Sequence, residues 1–178
     1  MEIRTERLRL RPFAAADLPA YAALNGDAEV MRWLGGPRGT GETQAEMEHN
    51  NRTLAGDGYG KVAVERLGDG ALLGMCGLSV EPWYPDDLEI GWRLARAHWG
   101  QGYATEAARA WLGHAFAGLG VARVISVSDV PNLRSLRVME RLGMQLDHEA
   151  ELEIDGDRFA ALVYAIDATA HAASTRPG

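Results

Sequence analysis

The 178-residue sequence predicts a mixed α/β domain in which about seven strands form one central sheet and helices pack against it. Three observations lead there. Apolar and polar residues alternate over Thr5–Arg11 and Leu88–Leu94, Gly60–Arg66 and Ala71–Leu78 are β-like runs about a glycine-rich turn, Val121–Ser128 is β-branched, and Gln145–Leu152 and Arg158–Ile166 flank a hairpin signal. Helix-spaced runs separate some of these segments, the clearest being Ala104–Ala115. The length and a hydrophobic content of 47% fit a single domain that buries about two-thirds of its unfolded surface. Residues 1–166 are expected to form that domain and 167–178 a flexible tail.

The first strand, Thr5–Arg11, ends at Pro12, and its arginines are expected to face solvent. Ala14–Asn25 reads as a short helix with Asp17 as N-cap and Pro19 in the first turn, and Asp27–Trp33 reads as another. Gly35-Gly36-Pro37-Arg38-Gly39 breaks the chain before Thr40–Ala55, a helix so rich in Glu, Gln and Asn that it should be mostly solvated. The runs at Gly60–Arg66 and Ala71–Leu78 flank Leu67-Gly68-Asp69-Gly70 and make a hairpin. Glu81–Asp87 then reads as a loop carrying Trp83 and Tyr84, aromatics suited to an acceptor or to a dimer contact.

The organising stretch is Leu88–Phe116. Leu88, Ile90, Trp92 and Leu94 alternate with Glu89, Gly91 and Arg93 as in a strand. After Gly100-Gln101-Gly102-Tyr103-Ala104-Thr105, the residues Ala104, Ala108, Trp111, Leu112 and Ala115 recur at helical spacing. A helix start offers unpaired N–H groups and the positive end of the peptide dipoles, and glycines leave that backbone bare for a phosphate. A dinucleotide fingerprint needs a glycine where Thr105 stands, and the G-x-x-x-x-G-K-[ST] phosphate loop is absent from the sequence. Further on, Val121–Ser128 is a β-branched strand, Asn132–Met144 a helix stopped by Gly143, and Asp155-Gly156 the turn of a last hairpin.

Trp99-Gly100-Gln101-Gly102-Tyr103-Ala104-Thr105-Glu106-Ala107 resembles the pyrophosphate segment of the GNAT acetyltransferases, and all nine positions follow the run usual in their RimJ/RimL branch. Asn132, Ser135 and Gly143-Met144 resemble the N-x-x-S and G-[FM] positions of the same family. The resemblance implies a GNAT-like acyl-CoA acyltransferase fold with a mostly antiparallel, splayed sheet flanked by helices. It implies acetyl-CoA as co-substrate, direct transfer to a primary amine through a ternary complex, and no metal. Trp92, Arg93 and Leu94 would lend backbone groups to the pantetheine arm and acetyl carbonyl. Gly100, Gln101, Gly102, Tyr103, Ala104 and Thr105 would take the pyrophosphate, with Asn132 and Ser135 facing the gap between strands. The acceptor would be a protein or peptide N-terminus or a small-molecule amine.

Residue roles follow from the same comparison. Many members carry a leaving-group tyrosine where Met139 stands here, so Ser135 becomes the candidate donor to the departing thiolate. Glu89 is the candidate base, with an ordinary exposed strand carboxylate as its other reading. Asn132 reads equally as N-cap and as cleft residue. Gly35–Gly41 is either an acceptor loop or an interhelical turn, and His98 reads as a loop histidine. An alternative of a different class is a non-catalytic acyl-CoA-binding or regulatory module.

The net charge of −7 and pI near 5.2 argue against an extended nucleic-acid-binding face and suit a cationic acceptor. One cysteine, Cys76, excludes an internal disulfide, and five scattered histidines offer no metal set. The start lacks an apolar signal core and no run approaches membrane-spanning length, so the cytoplasm is the expected location, with neither nucleic acid nor membrane as partner and a homodimer allowed.

Overall fold

The computed structural model describes residues 1–154 and 156–174. Eight strands form one sheet: β1 (Ile3–Arg4), β2 (Leu8–Arg11), β3 (Lys61–Arg66), β4 (Leu72–Glu81), β5 (Tyr84–Leu94), β6 (Arg123–Asp129), β7 (Gln145–Ile154) and β8 (Asp157–Asp167). Their spatial order is β1-β2-β3-β4-β5-β6-β8-β7. Every neighbouring pair is antiparallel except β5 and β6, which run parallel and pair only at Leu88↔Val124 and Glu89↔Ile125. Beyond those two positions the strands part. Ile90–Leu94 keep β4 as neighbour, Ser126–Asp129 keep β8, and a cleft opens between them.

Helices cover both faces. On one side lie α1 (Leu18–Asn25) and α2 (Thr40–Asp57); on the other lies α3 (Tyr103–Ala117). Two more helices follow, α4 (Leu133–Arg141) and α5 (Ala168–Ser174). Strand alternation divides the core accordingly. Val62, Val64, Cys76, Leu78 and Ile90 pack with Trp111, Leu112 and Ala115 of α3, whereas Ala63 and Met75 pack with Tyr21, Met31 and Met47. α2 is less solvated than its composition suggests, because Thr43, Met47, Asn50 and Leu54 fall on one buried stripe.

Several expectations change. The eighth strand is β1, a two-residue edge. Asp27–Trp33 is a series of turns, not a helix: the Asp27 carboxylate takes the Glu29 N–H at 2.9 Å, and Arg38 N–H returns to the Asn25 carbonyl at 2.8 Å. Tyr84–Asp87 belongs to β5, which reduces the loop to the turn at its start. Arg11 is not solvent-facing but forks onto Asp17, at 2.7 and 2.8 Å, and donates to Glu65. Residues 168–174 of the expected tail form α5, whose Ala170 packs on the core; residues 175–178 lie outside the described residues. Asp155 also lies outside them, while the strands beside it pair antiparallel as far as Ile154↔Asp157. Among the described residues no helix is long and apolar enough to cross a membrane.

Candidate active site

The cleft between β5 and β6 opens into a cavity of about 730 Å³ that reaches from the glycine loop to α2. Its wall is built by the alternation of β5. The carbonyl of Ile90 points toward β6, where the Ser126 hydroxyl donates to it at 2.9 Å. The N–H and C=O of Trp92 and Leu94 therefore lie on the same open edge, because a strand presents alternate residues to each neighbour. The Leu94 carbonyl is taken by the Trp99 indole N–H at 2.7 Å, an intramolecular bond that seats the tryptophan ahead of the loop.

Arg93 is placed differently. Its backbone belongs to the ladder with β4, and its guanidinium runs to the α1/α2 side, donating to the Tyr21 hydroxyl at 2.8 Å and to Glu46. Glu46 also receives Asn25 at 3.2 Å and faces Arg38 at 3.5 Å, so one carboxylate gathers two arginines beside the cavity.

The glycine loop has the geometry a phosphate requires. Gly100 and Gly102 have φ of 74° and 82°, the left-handed region that a side chain disfavours, and Gly102 is the N-cap of α3. The N–H groups of Tyr103, Ala104 and Thr105 have by position no carbonyl within the helix. Arg7, just ahead of β2, braces the loop: it donates to the Gln101 carbonyl at 3.1 Å, pairs with Glu106 at 2.6 Å, and stacks on Tyr103. Gln101 turns its own side chain back to the Ala97 carbonyl at 2.9 Å.

Two buried hydroxyls line the cleft, Thr105 Oγ1 and Ser128 Oγ, and neither has a hydrogen-bond partner among the described residues. Ser128 sits two residues beyond Ser126 on β6, with the same orientation, but β5 has by then moved out of its reach. Orphaned hydroxyls, an open strand edge and a bare helix start together fit an extended amide-bearing chain that ends in a diphosphate.

At the apex, Glu89 lies opposite Ser79 on β4 and Ile125 on β6. Burial pushes its carboxyl up to about 7; Lys61 opposes that shift and Glu81 adds to it. Lys61 crosses the sheet from β3 over Gly91, donates to Glu81 at 3.1 Å, and shares the cavity wall with Glu89. His98 also lines the cavity, its pKa lowered mainly by burial. Cys76 is fully buried in the core, and burial pushes its thiol above the ordinary range, which leaves no activated sulfur nucleophile there.

Asn132 caps α4, its carboxamide oxygen accepting the Ser135 N–H at 3.4 Å, and both residues line the cleft. The two readings of Asn132 are thus compatible. Met139 is fully buried in the core, whereas Val138 faces the cleft one turn beyond Ser135.

The acetyltransferase (GNAT) domain matches residues 7–145. The chain belongs to the GNAT acetyltransferase family. Members of this family use acetyl-CoA as co-substrate. The Bacillus subtilis protein YkkB is 34% identical over 142 residues, 79% of this chain and 83% of that one. An acetyltransferase from Agrobacterium tumefaciens shares the structure with a TM-score of 0.80 at 33% identity, covering 93% of this chain and 94% of the other. The ribosomal L7/L12 alpha-N-protein acetyltransferase RimL superposes with a TM-score of 0.79 at 21% identity over 94% of both chains, a likeness of fold.

Sequence reasoning did not single out Lys61, Glu46, Arg38 or Ser128. The signal for the first three was the face shared by Glu89, Gly91 and Arg93, with a glycine between two charged residues, which marks a strand whose middle is left open.

Proposed function

We propose that this GNAT protein is an acetyl-CoA-dependent N-acetyltransferase that acts directly on a primary amine, from a protein N-terminus or a small molecule. The observation that carries the reading is the position of Glu89 at the apex of the β5/β6 split, in the same cavity as the glycine loop.

When bound, acetyl-CoA supplies a thioester carbon open to an amine and a thiolate as leaving group. The backbone of Trp92 and Leu94 and the hydroxyl of Ser128 hold the pantetheine arm; Gly100–Thr105 hold the diphosphate. The Trp92 N–H, on the open edge of β5, stabilises negative charge developing on the acyl oxygen. Glu89, with its carboxyl near pH 7, takes the proton of the incoming amine directly or through a water. Ser135, beside α4's start, donates to the departing sulfur. The acceptor approaches from the α1/α2 side, over Gly91 and between the Lys61–Glu81 pair and the Arg93–Glu46 pair.

Purified protein given acetyl-CoA and a panel of amines and peptides is expected to release free thiol. Tight cofactor binding with no turnover on any acceptor would replace this reading with that of a non-catalytic acyl-CoA-binding module.

A further inference from the structure

Away from the glycine loop, large apolar side chains wall the cavity from two sides. One wall comes from the turns after α1 and consists of Trp33 and Leu34 together with the buried Val30. Arg32 lies over the Trp33 ring at 4.8 Å, and the Leu34 N–H returns to the Met31 carbonyl at 3.0 Å, so the turn that carries both is held in place. Leu34 is nevertheless 37% exposed. The other wall comes from the β4–β5 turn and from β8. Trp83 and Phe159 meet there edge to face, ring centroids 6.0 Å apart, and the Trp83 indole N–H donates to the Glu153 carbonyl at 3.1 Å.

Both walls stand on the sheet face that carries Glu89. Glu89 pairs with Ile125 and Ile125 with Ala165, and the period of two along β8 puts Phe159 on the face of Ala165. Val30 packs with Met75, which pairs with Arg93, two alternations along β5 from Glu89. The cations at this end are already engaged, Lys61 by Glu81 at 3.1 Å and both Arg38 and Arg93 by Glu46. Of the carboxylates here, Glu29 and Glu89 have no ion pair among the described residues. An entering amine thus meets open carboxylates, while whatever it is attached to meets aromatic and aliphatic surface. Burial of apolar area against rings already held by their neighbours then supplies the affinity.

We infer that the acceptor is a primary amine within a few bonds of an aromatic or branched aliphatic group, and that this group sits between Trp33–Leu34 and Trp83–Phe159. The inference rests on the amine-acceptor reading above and narrows it to this class. A free arylalkylamine and a peptide with a large apolar first residue present the same chemistry.

Thiol release at saturating acetyl-CoA tests this with phenethylamine, ethylamine, diaminobutane and two peptides that differ only in a first residue of phenylalanine or glycine. In at least one pair the ring-bearing acceptor is expected to exceed its ringless counterpart by about tenfold or more in kcat/KM, as burial of one ring allows. The faster of the two ring-bearing acceptors identifies the source. Trp33→Ala and Trp83→Ala, one from each wall, are expected to bring that ratio close to one, mainly through KM, and Trp83→Phe to keep most of it. Calorimetric CoA affinity, unaltered in each variant, reports that the fold persists. Ratios near one in wild type, a ratio that survives in both alanine variants, or diaminobutane outrunning both ring-bearing acceptors overturns the inference. Turnover on no acceptor overturns the acetyl-transfer reading itself, whereas turnover without preference overturns only the narrower class.

Discussion

The Ser126 hydroxyl donates to the Ile90 carbonyl at 2.9 Å, at the first position where β5 and β6 no longer pair. A side chain thus takes over from the backbone ladder at the point where the strands separate. Ser126→Ala leaves a buried carbonyl without its donor, a loss of about 1–3 kcal/mol. The thermal midpoint should fall by roughly 2–4 °C per kcal/mol in a domain of this size. An unchanged melt would show that the serine bridge adds nothing to the hold of the two backbone pairs and of α3.

Glu89 makes a prediction in two directions. As a base it must be ionised, so kcat/KM should rise with pH through about 7, and Glu89→Gln should abolish that limb and lower turnover by about 100-fold or more. For stability the sign is opposite. The folded carboxyl titrates near 7 against 4.5 in the unfolded chain, so the folded state holds the proton more tightly. Its ionisation therefore opposes folding; the penalty is absent below about 4.5 and complete above about 7. The glutamine variant should melt higher than wild type at pH 8 and lose the difference near pH 4.

Gly102 is strained ground for any other residue, with φ of 82° and an added Cβ only 3.4 Å from Arg7. Gly102→Val should cost about 1–2 kcal/mol of stability for the left-handed backbone. By obstructing the α3 N-terminus it should also weaken CoA binding by about tenfold or more. Calorimetry that returns wild-type affinity would remove the loop from the cofactor site.

Asn132 and Ser135 separate by what they change. Asn132→Ala removes the cap of α4 and should lower stability by about 1 kcal/mol. Ser135→Ala should leave stability and CoA affinity nearly intact and reduce turnover by roughly 30- to 1,000-fold, as loss of a donor to developing charge does. Wild-type turnover in Ser135→Ala would assign leaving-group protonation to water.

The Arg93 guanidinium lies on the α1/α2 side of the sheet. Arg93→Met strips a buried cation from Glu46, which among the described residues keeps Arg38, Tyr21 and Asn25. Destabilisation of about 3 kcal/mol is expected in a denaturant melt, with CoA affinity unaltered.

Much of this arrangement was legible in the sequence. Alternation, β-branched runs and hairpin turn signals mark seven of the eight strands, and the nine residues from Trp99 to Ala107 place the loop at the head of α3, as found. β1 escaped notice because two residues carry no period. Asp27–Trp33 has helical composition, but Gly26 before it and the left-handed Gly35 and Gly36 after it let Asp27 bind its own backbone neighbours instead. Trp92, Arg93 and Leu94 are contiguous, but alternation gives the Arg93 backbone to the ladder with β4 and its side chain to the α1/α2 face. The Lys61–Glu81 pair and the Glu46 cluster join residues 20 and 47 positions apart, and pairings of that range are set by register and tertiary packing, which no local pattern records.

The two-residue seam between β5 and β6 also gives the sheet a mechanical character. Strands β1 to β5 form one plate and β6 to β8 another; besides two residue pairs and the serine bridge, the joint is crossed at its closed end by Trp83 donating to the Glu153 carbonyl at 3.1 Å, Tyr84 meeting His148 at 2.9 Å and Arg123 facing Asp87 at 3.7 Å. The open end of the joint, beyond Ile90 as far as Leu94 and beyond Ser126 as far as Asp129, is the stretch with no such ties among the described residues, and the proposed pantetheine arm would supply rungs there.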